Sequence, residues 1–182
     1  MNALVQTFLP TSKLKITMAA PDLPAAADSQ ILIYTDGACI GNPGAGGWAF
    51  VVQRMVNGTV IDELVQSASV PATTTNICME MQAAIEALKT VLADEAAPIT
   101  IRSDSEILIK GVNEWIKGWI AKGWKKAGGK PVANRDLWEQ ILELSQGKTI
   151  TWSWVKGHAG DPMNEKVDGL AEAAARAAMF TA

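Results

Sequence analysis

Three apolar runs stand close together near the start of the ordered part of the chain. ILIYTD (31–36), WAFVVQRM (48–55) and TVIDELVQS (59–67) each have the length and β-branched content of a strand. Asn57-Gly58 separates the second from the third, a pair suited to a two-residue hairpin because both residues tolerate positive φ. Helix and strand then alternate. NICMEMQAAIEALKTVL (76–92) reads as a helix capped by Thr74, Thr75 or Asn76, PITIRSD (98–104) as a strand, and SEILIKGVNEWIKGWI (105–120) and ANRDLWEQILELS (133–145) as helices. TITWSWV (149–155) is a strand and NEKVDGLAEAAARAAM (164–179) an Ala-rich helix. A meander followed by this alternation predicts an α/β fold, a mixed five-stranded sheet with helices packed on it. No internal repeat is visible.

The 182 residues fit one domain, expected at 30–182, with a core that needs no disulfide staples. Residues 1–29 are rich in Ala, Pro, Thr and Ser, without period or signal-peptide core, and are expected to be a disordered extension; Met18 is an alternative start. No apolar run approaches the ~20 residues that span a bilayer. Cys39 and Cys78 have no metal-ligand spacing and are expected to be reduced thiols. The net charge of −3 argues against nucleic-acid binding unless a basic patch is local.

Carboxylates stand where stability does not call for them. Glu80 heads the stripe Ala83, Ala84, Ala87, Leu88 and Val91, the core-facing side of its helix. A helix dipole explains an acid on the solvent side, not one on this stripe. Asp36 and Asp104 each close an apolar strand at its carboxyl end, where α/β sheets bind ligands, although an Asp in an ordinary turn is common. Asp168 lies on the flank of the stripe Val167, Leu170, Ala171, Ala174 and, taken alone, reads as a solvated acid. Four acids meeting in one place would repel one another, a conflict that hard divalent cations resolve. Two such ions ~4 Å apart can activate a water and stabilise the leaving oxygen of a phosphoryl displacement.

A basic segment offsets the overall charge. From Lys110 to Lys130 there are six lysines (Lys110, Lys117, Lys122, Lys125, Lys126, Lys130) against one acid, Glu114. Trp115 and Trp119 share a helical face and Trp124 follows; interleaved Trp and Lys can hold phosphates and pack on sugars, or can simply be the two faces of an amphipathic helix. The run GNPGAGG (41–47) lacks the order of a phosphate loop and precedes a strand, so it reads as a flexible hairpin link. The single histidine, His158, lies in the small-residue loop KGHAG, close in sequence to Asp168.

The motifs IYTDGACIGNPGAGGW (33–48), TTNICMEMQAAIEAL (74–88), IRSDSE (101–106), KPVANRDLW (130–138) and WVKGHAGDPMNEKVDGLA (154–171), with the Trp-rich insertion at 115–124, resemble type 1 ribonuclease H of the bacterial form over roughly 30–180. The resemblance implies a ribonuclease H-like sheet, an antiparallel meander plus parallel strands with helices on both faces. It implies an endonuclease that cuts the RNA strand of RNA–DNA hybrids by a two-metal mechanism, leaving 5′-phosphate and 3′-hydroxyl ends. The implied metal ligands are Asp36, Glu80, Asp104 and Asp168, holding two Mg²⁺ for which Mn²⁺ can substitute, with His158 as catalytic assistant. By the same resemblance Cys39, Asn42 and Asn76 lie along the hybrid groove, Thr75 and Asn134 hold a DNA phosphate away from the cut, and Trp115, Trp119, Lys122, Trp124, Lys125 and Lys126 grip the DNA strand. A cytoplasmic monomer with no obligatory protein partner and no membrane association is expected. Ile77 and Cys78 stand where the family often has Asn-Arg, and Glu106 replaces a commonly neutral residue beside Asp104, which puts hybrid affinity in question. A transposase-type relative on the same fold, or a hybrid-binding module without catalysis, would be distinguished by cleavage of duplex DNA or by binding without cleavage.

Overall fold

The computed structural model of the chain describes residues 28–180. Apart from Asp28 and Ser29, the N-terminal extension and the alternative start at Met18 lie outside the described residues. β1 (Ser29–Ile40), β2 (Gly44–Val56) and β3 (Thr59–Thr74) form the meander. β4 (Ile99–Ser103) then lies parallel to β1, and β5 (Ile150–Trp154) parallel to β4. The sheet order is β3-β2-β1-β4-β5, so β1 is central. Asn57 and Gly58 take φ of 50° and 74°, as the hairpin between β2 and β3 requires.

The strands of the meander run longer than their apolar segments. β1 continues past Asp36 to Ile40, because its ladder with β2 extends through Cys39 opposite Gly46 and Ile40 opposite Ala45. This corrects the expected hairpin link at 41–47, of which Gly44 to Gly47 belong to β2. Those glycines serve packing rather than flexibility. A Cβ on Gly46 would lie 2.4 Å from the Thr74 methyl and 2.6 Å from Met79 Sδ, and one on Gly47 would lie 2.3 Å from the Ala175 backbone nitrogen.

Both faces of the sheet are covered, so successive side chains of β1 and β2 are buried in turn on opposite sides. Ile31, Ile33, Phe50, Val52, Ile99 and Ile101 meet Ala87 and Leu88 of α1 (Asn76–Thr90) and Val91, which caps its C-terminus. Tyr34, Ala49 and Val51 meet Val167 and Ala171 of α5 (Pro162–Ala178) on the other face. α1 carries its expected apolar stripe, and Thr75 is its cap, the hydroxyl accepting from Cys78 N–H.

The single helix expected at 105–120 is instead three pieces: α2 (Glu106–Lys110), a π turn (Gly111–Trp115) and α3 (Ile116–Ala121). The widened turn falls where the backbone crosses Trp138 of α4 (Arg135–Ser145); a Cβ on Gly111 would stand 2.2 Å from that indole. α5 begins at Pro162, two residues before its expected start, with Asp161 as N-cap accepting from Met163 and Asn164 N–H. Among the described residues no helix is long and apolar enough to cross a membrane.

Candidate active site

The site forms where the two helical layers reach the carboxyl end of β1. Asp36 is on the central strand, and Gly37 follows it. A Cβ on Gly37 would lie 2.1 Å from Glu80 N and 2.2 Å from the Met79 carbonyl carbon, so only glycine lets the start of α1 cross β1 this closely. That crossing brings Glu80 towards Asp36. Asp104 stands just past the end of β4, and Asp168 nearly two turns inside α5. The four carboxylates, drawn from four elements, line one open cleft of roughly 450 Å³ together with Asn76, Cys39, His158 and Glu172.

Each acid has its own support. Asp36 is 7% exposed and its Oδ1 accepts from Gly37 N–H at 2.7 Å. Glu80 accepts from Asn76 Nδ2 at 2.8 Å on one oxygen and from the Ser105 hydroxyl on the other. Asp104 Oδ2 faces Asn164 Nδ2 at 3.4 Å, and its backbone carbonyl accepts from Trp154 Nε1 at 3.0 Å. His158 Nδ1 stands 3.4 Å from Asp168 Oδ2, on a side chain 80% exposed. The KGHAG loop crosses Asp104 at Gly157, where a Cβ would meet Asp104 Oδ2 at 2.6 Å.

Burial pushes the Asp36 carboxyl up to about 8, and the charges of Asp104, Asp168 and Glu80 push the same way against the Gly37 hydrogen bond. Burial also raises Glu80, with Asp104 adding to it; the hydrogen bonds from Ser105 and Asn76 pull it back. Desolvation and like-charge repulsion therefore oppose the charged form of Asp36 until a cation is near. Among the described residues no group of three or more His, Cys, Asp and Glu side chains is arranged to hold an ion by itself. The donor set nevertheless fits a hard divalent cation, because it is all carboxylate oxygen and leaves an open face. Mg²⁺ in such sites is usually held by one or two carboxylates plus oxygens of the substrate.

The family model for RNase H matches residues 28–176, more than half of the chain. The chain belongs to the ribonuclease H family. It is 47% identical over 142 residues to Ribonuclease H of Xanthomonas campestris pv. campestris (strain 8004), a match covering 78% of this chain and 89% of that protein. Ribonuclease H of Cyanothece sp. (strain PCC 7425 / ATCC 29141) is 48% identical over 141 residues, covering 78% and 86%. Among solved structures the chain resembles LC9-RNase H1, described as a type 1 RNase H with the type 2 active-site motif. The TM-score is 0.71 at 28% identity, covering 86% of this chain and 75% of that one. The mixed sheet with helices on both faces is thus the ribonuclease H-like fold, and the family is dependent on divalent metal.

The remaining candidates fall into two groups. Cys39, Asn42, Thr75 and Asn76 lie together beside the acids: Asn76 N–H donates to Asn42 Oδ1 at 3.0 Å, and Cys39 Sγ donates to the Thr74 carbonyl at 3.3 Å. The second group is distant in sequence. Trp115, Trp119, Lys122, Lys125 and Lys126 line a separate open groove with Glu114 and Gly118. Trp124 is not on that surface. The residue is 9% exposed, inside the core cluster with Trp138 and Ile116, and the Arg135 guanidinium lies over its ring at 5.4 Å. Trp119 also packs edge-on against Trp138, while Trp115 is exposed. Asn134 precedes α4 in the left-handed region, φ 54° and ψ 36°, with no cap bond from its side chain.

Two departures from the family pattern have a local account. Ile77 packs against the second core cluster, and Glu106 points to solvent, paired with Lys110 at 2.7 Å. Sequence reasoning passed over Ser105, Asn164 and Glu172. Pro162 at the first turn of α5, with Asp161 before it, is the signal that would have set the helix start and moved attention to Asn164.

Proposed function

We propose that this chain hydrolyses the RNA strand of RNA–DNA hybrids endonucleolytically, leaving 5′-phosphate and 3′-hydroxyl ends. The observation that carries the reading is the convergence of Asp36, Glu80, Asp104 and Asp168 from four elements on one cleft. These acids would hold two Mg²⁺ ions, with Mn²⁺ able to substitute, which supply activation of water and stabilisation of the leaving oxygen. Asp36, on the central strand and buried among the other three acids, would be one of the residues that hold them.

The rest of the chain binds, orients and moves protons. Cys39, Asn42 and Asn76 form the rim on which the RNA strand lies, where short side chains and backbone groups can approach 2′-hydroxyls. Thr75 and Asn134 hold a DNA phosphate away from the cut. Lys122, Lys125 and Lys126, with Trp115 and Trp119, grip the DNA strand through phosphates and sugars. His158, beside Asp168 and open to solvent, takes or returns a proton as product leaves. The chain acts as a cytoplasmic monomer without an obligatory protein partner.

The test is a labelled RNA–DNA hybrid incubated with Mg²⁺, Mn²⁺ or EDTA. Cleavage of the RNA strand with either metal, none in EDTA and none of duplex DNA is expected. Equal cleavage of duplex DNA, or hybrid binding without cleavage in Mg²⁺, would overturn the reading.

A further inference from the structure

Ser105 performs three tasks in one buried position. It is 6% exposed, its hydroxyl donates to Glu80 Oε2, and the same oxygen accepts from Leu108 N–H at 3.3 Å as the N-cap of α2. Its own N–H donates to Ser103 Oγ at 3.1 Å. Asp104 therefore sits in a turn pinned on both sides, and the residue that pins it also holds a carboxylate from a different helix.

Glu80 has one other anchor, Asn76, one turn back on α1. The two anchors differ in kind. Asn76 is partly exposed on the cleft wall, with its backbone N–H bonded to the exposed Asn42, so an arriving polynucleotide can redirect its amide. The buried Ser105 cannot be redirected without undoing the start of α2. We infer that Ser105 is a positioning residue, setting the Glu80 carboxylate against Asp104 before any hybrid is bound. The inference rests on the proposed reading of Glu80 as a metal ligand. Groups that orient a metal-binding carboxylate typically matter 10–100-fold in metal affinity.

Ser105→Gly separates the two roles of the side chain. Glycine is a tolerated N-cap, so α2 and the fold should survive, while the donor to Glu80 is lost. Calorimetric titration of the hybrid-free protein with Mn²⁺ should show affinity lowered about tenfold or more. Ser105→Thr, which keeps the hydroxyl, should restore it, and KM for hybrid should move far less than kcat. In a Glu80→Gln background, Ser105→Gly should lower Mn²⁺ affinity no further. Wild-type Mn²⁺ affinity in Ser105→Gly would overturn the inference and leave Ser105 as a helix cap. So would an equal additional loss in the Glu80→Gln background. If Glu80→Gln alone leaves Mn²⁺ affinity unchanged, the metal-site reading of Glu80 fails first, and this inference with it.

Discussion

The acid cleft and the lysine groove carry opposite charges under opposite dielectric conditions. Asp36 is 7% exposed on the central strand, walled by Asp104, Asp168 and Glu80, and burial raises its carboxyl to about 8. Lys122, Lys125 and Lys126 stand in water around α3 and the turn after it. A charge in the first setting is held against a standing penalty, and a nearby cation changes the protein itself. A charge in the second is almost free to keep and acts weakly, through counterions. One region is therefore expected to govern chemistry and the pH dependence of stability, the other grip and its dependence on salt.

The sharpest way to break this contrast is Asp36→Asn. Hybrid cleavage in Mg²⁺ should fall on the order of 10³-fold or more, as when a preorganised charge is removed from a reacting centre. Binding measured in Ca²⁺ should be largely spared. Near-normal turnover would remove Asp36 from the centre of the site. Gly37→Ala tests the packing under it. The new Cβ would meet the α1 backbone at 2.1 Å, so a loss of roughly 3 kcal/mol in urea denaturation is expected. Gly118→Ala, with nothing within 4 Å in α3, should instead gain a few tenths to ~1 kcal/mol. Equal effects at the two positions would contradict the close crossing of α1 over β1.

Most of this was legible in the residues for reasons that can be named. The Asn57-Gly58 hairpin, the alternating elements and the misplaced charge of Glu80 on an apolar stripe are local signals, and each survived folding because tertiary contacts agreed with it. Features set by a second element were not legible. Gly46 and Gly47 look flexible until α1 and α5 are seen pressing on them. Trp124 looks like a surface aromatic beside Lys122 and Lys125 until a φ of 61° turns it into the core under Arg135. Ser105 and Asn164 are unremarkable in sequence, because their meaning lies in Glu80 and Asp104 on other elements.

Stability against pH offers a finer test, in metal-free protein. The folded Asp36 carboxyl titrates near 8 against an ordinary value of 3.8, so the native state binds the extra proton between these values. Its contribution is fully present below about pH 4 and is lost as pH rises towards 8. In EDTA, Asp36→Asn should thus exceed the parent in unfolding free energy by a margin that grows from pH 5 to pH 8, on the order of 2–4 kcal/mol at the upper end. Adding Mg²⁺ should narrow the margin by stabilising the parent alone. A margin that stays constant with pH would show that Asp36 ionises normally in the fold.

The smallest expected effect belongs to the lysine groove, and it bears on the other half of the contrast. Each lysine that neutralises a phosphate releases counterions, so the log of hybrid affinity falls with the log of salt by about 0.9 per contact on the B-DNA scale. Replacing Lys122, Lys125 and Lys126 together by Ala should flatten that slope by roughly two to three units if all three touch phosphate. KM should rise at moderate salt while kcat at saturating hybrid hardly changes, because contacts far from the cut bind ground state and transition state alike. Folding should be unaffected, since the aromatic packing nearby runs through Trp119, Trp124 and Trp138 and not through these side chains. Asp104→Asn is the counterpart, lowering kcat while leaving the salt slope and the Ca²⁺-supported affinity in place. Should the triple-lysine protein keep the parental slope, the lysines are the solvated face of an amphipathic segment, and the grip on the DNA strand must be sought elsewhere on the surface.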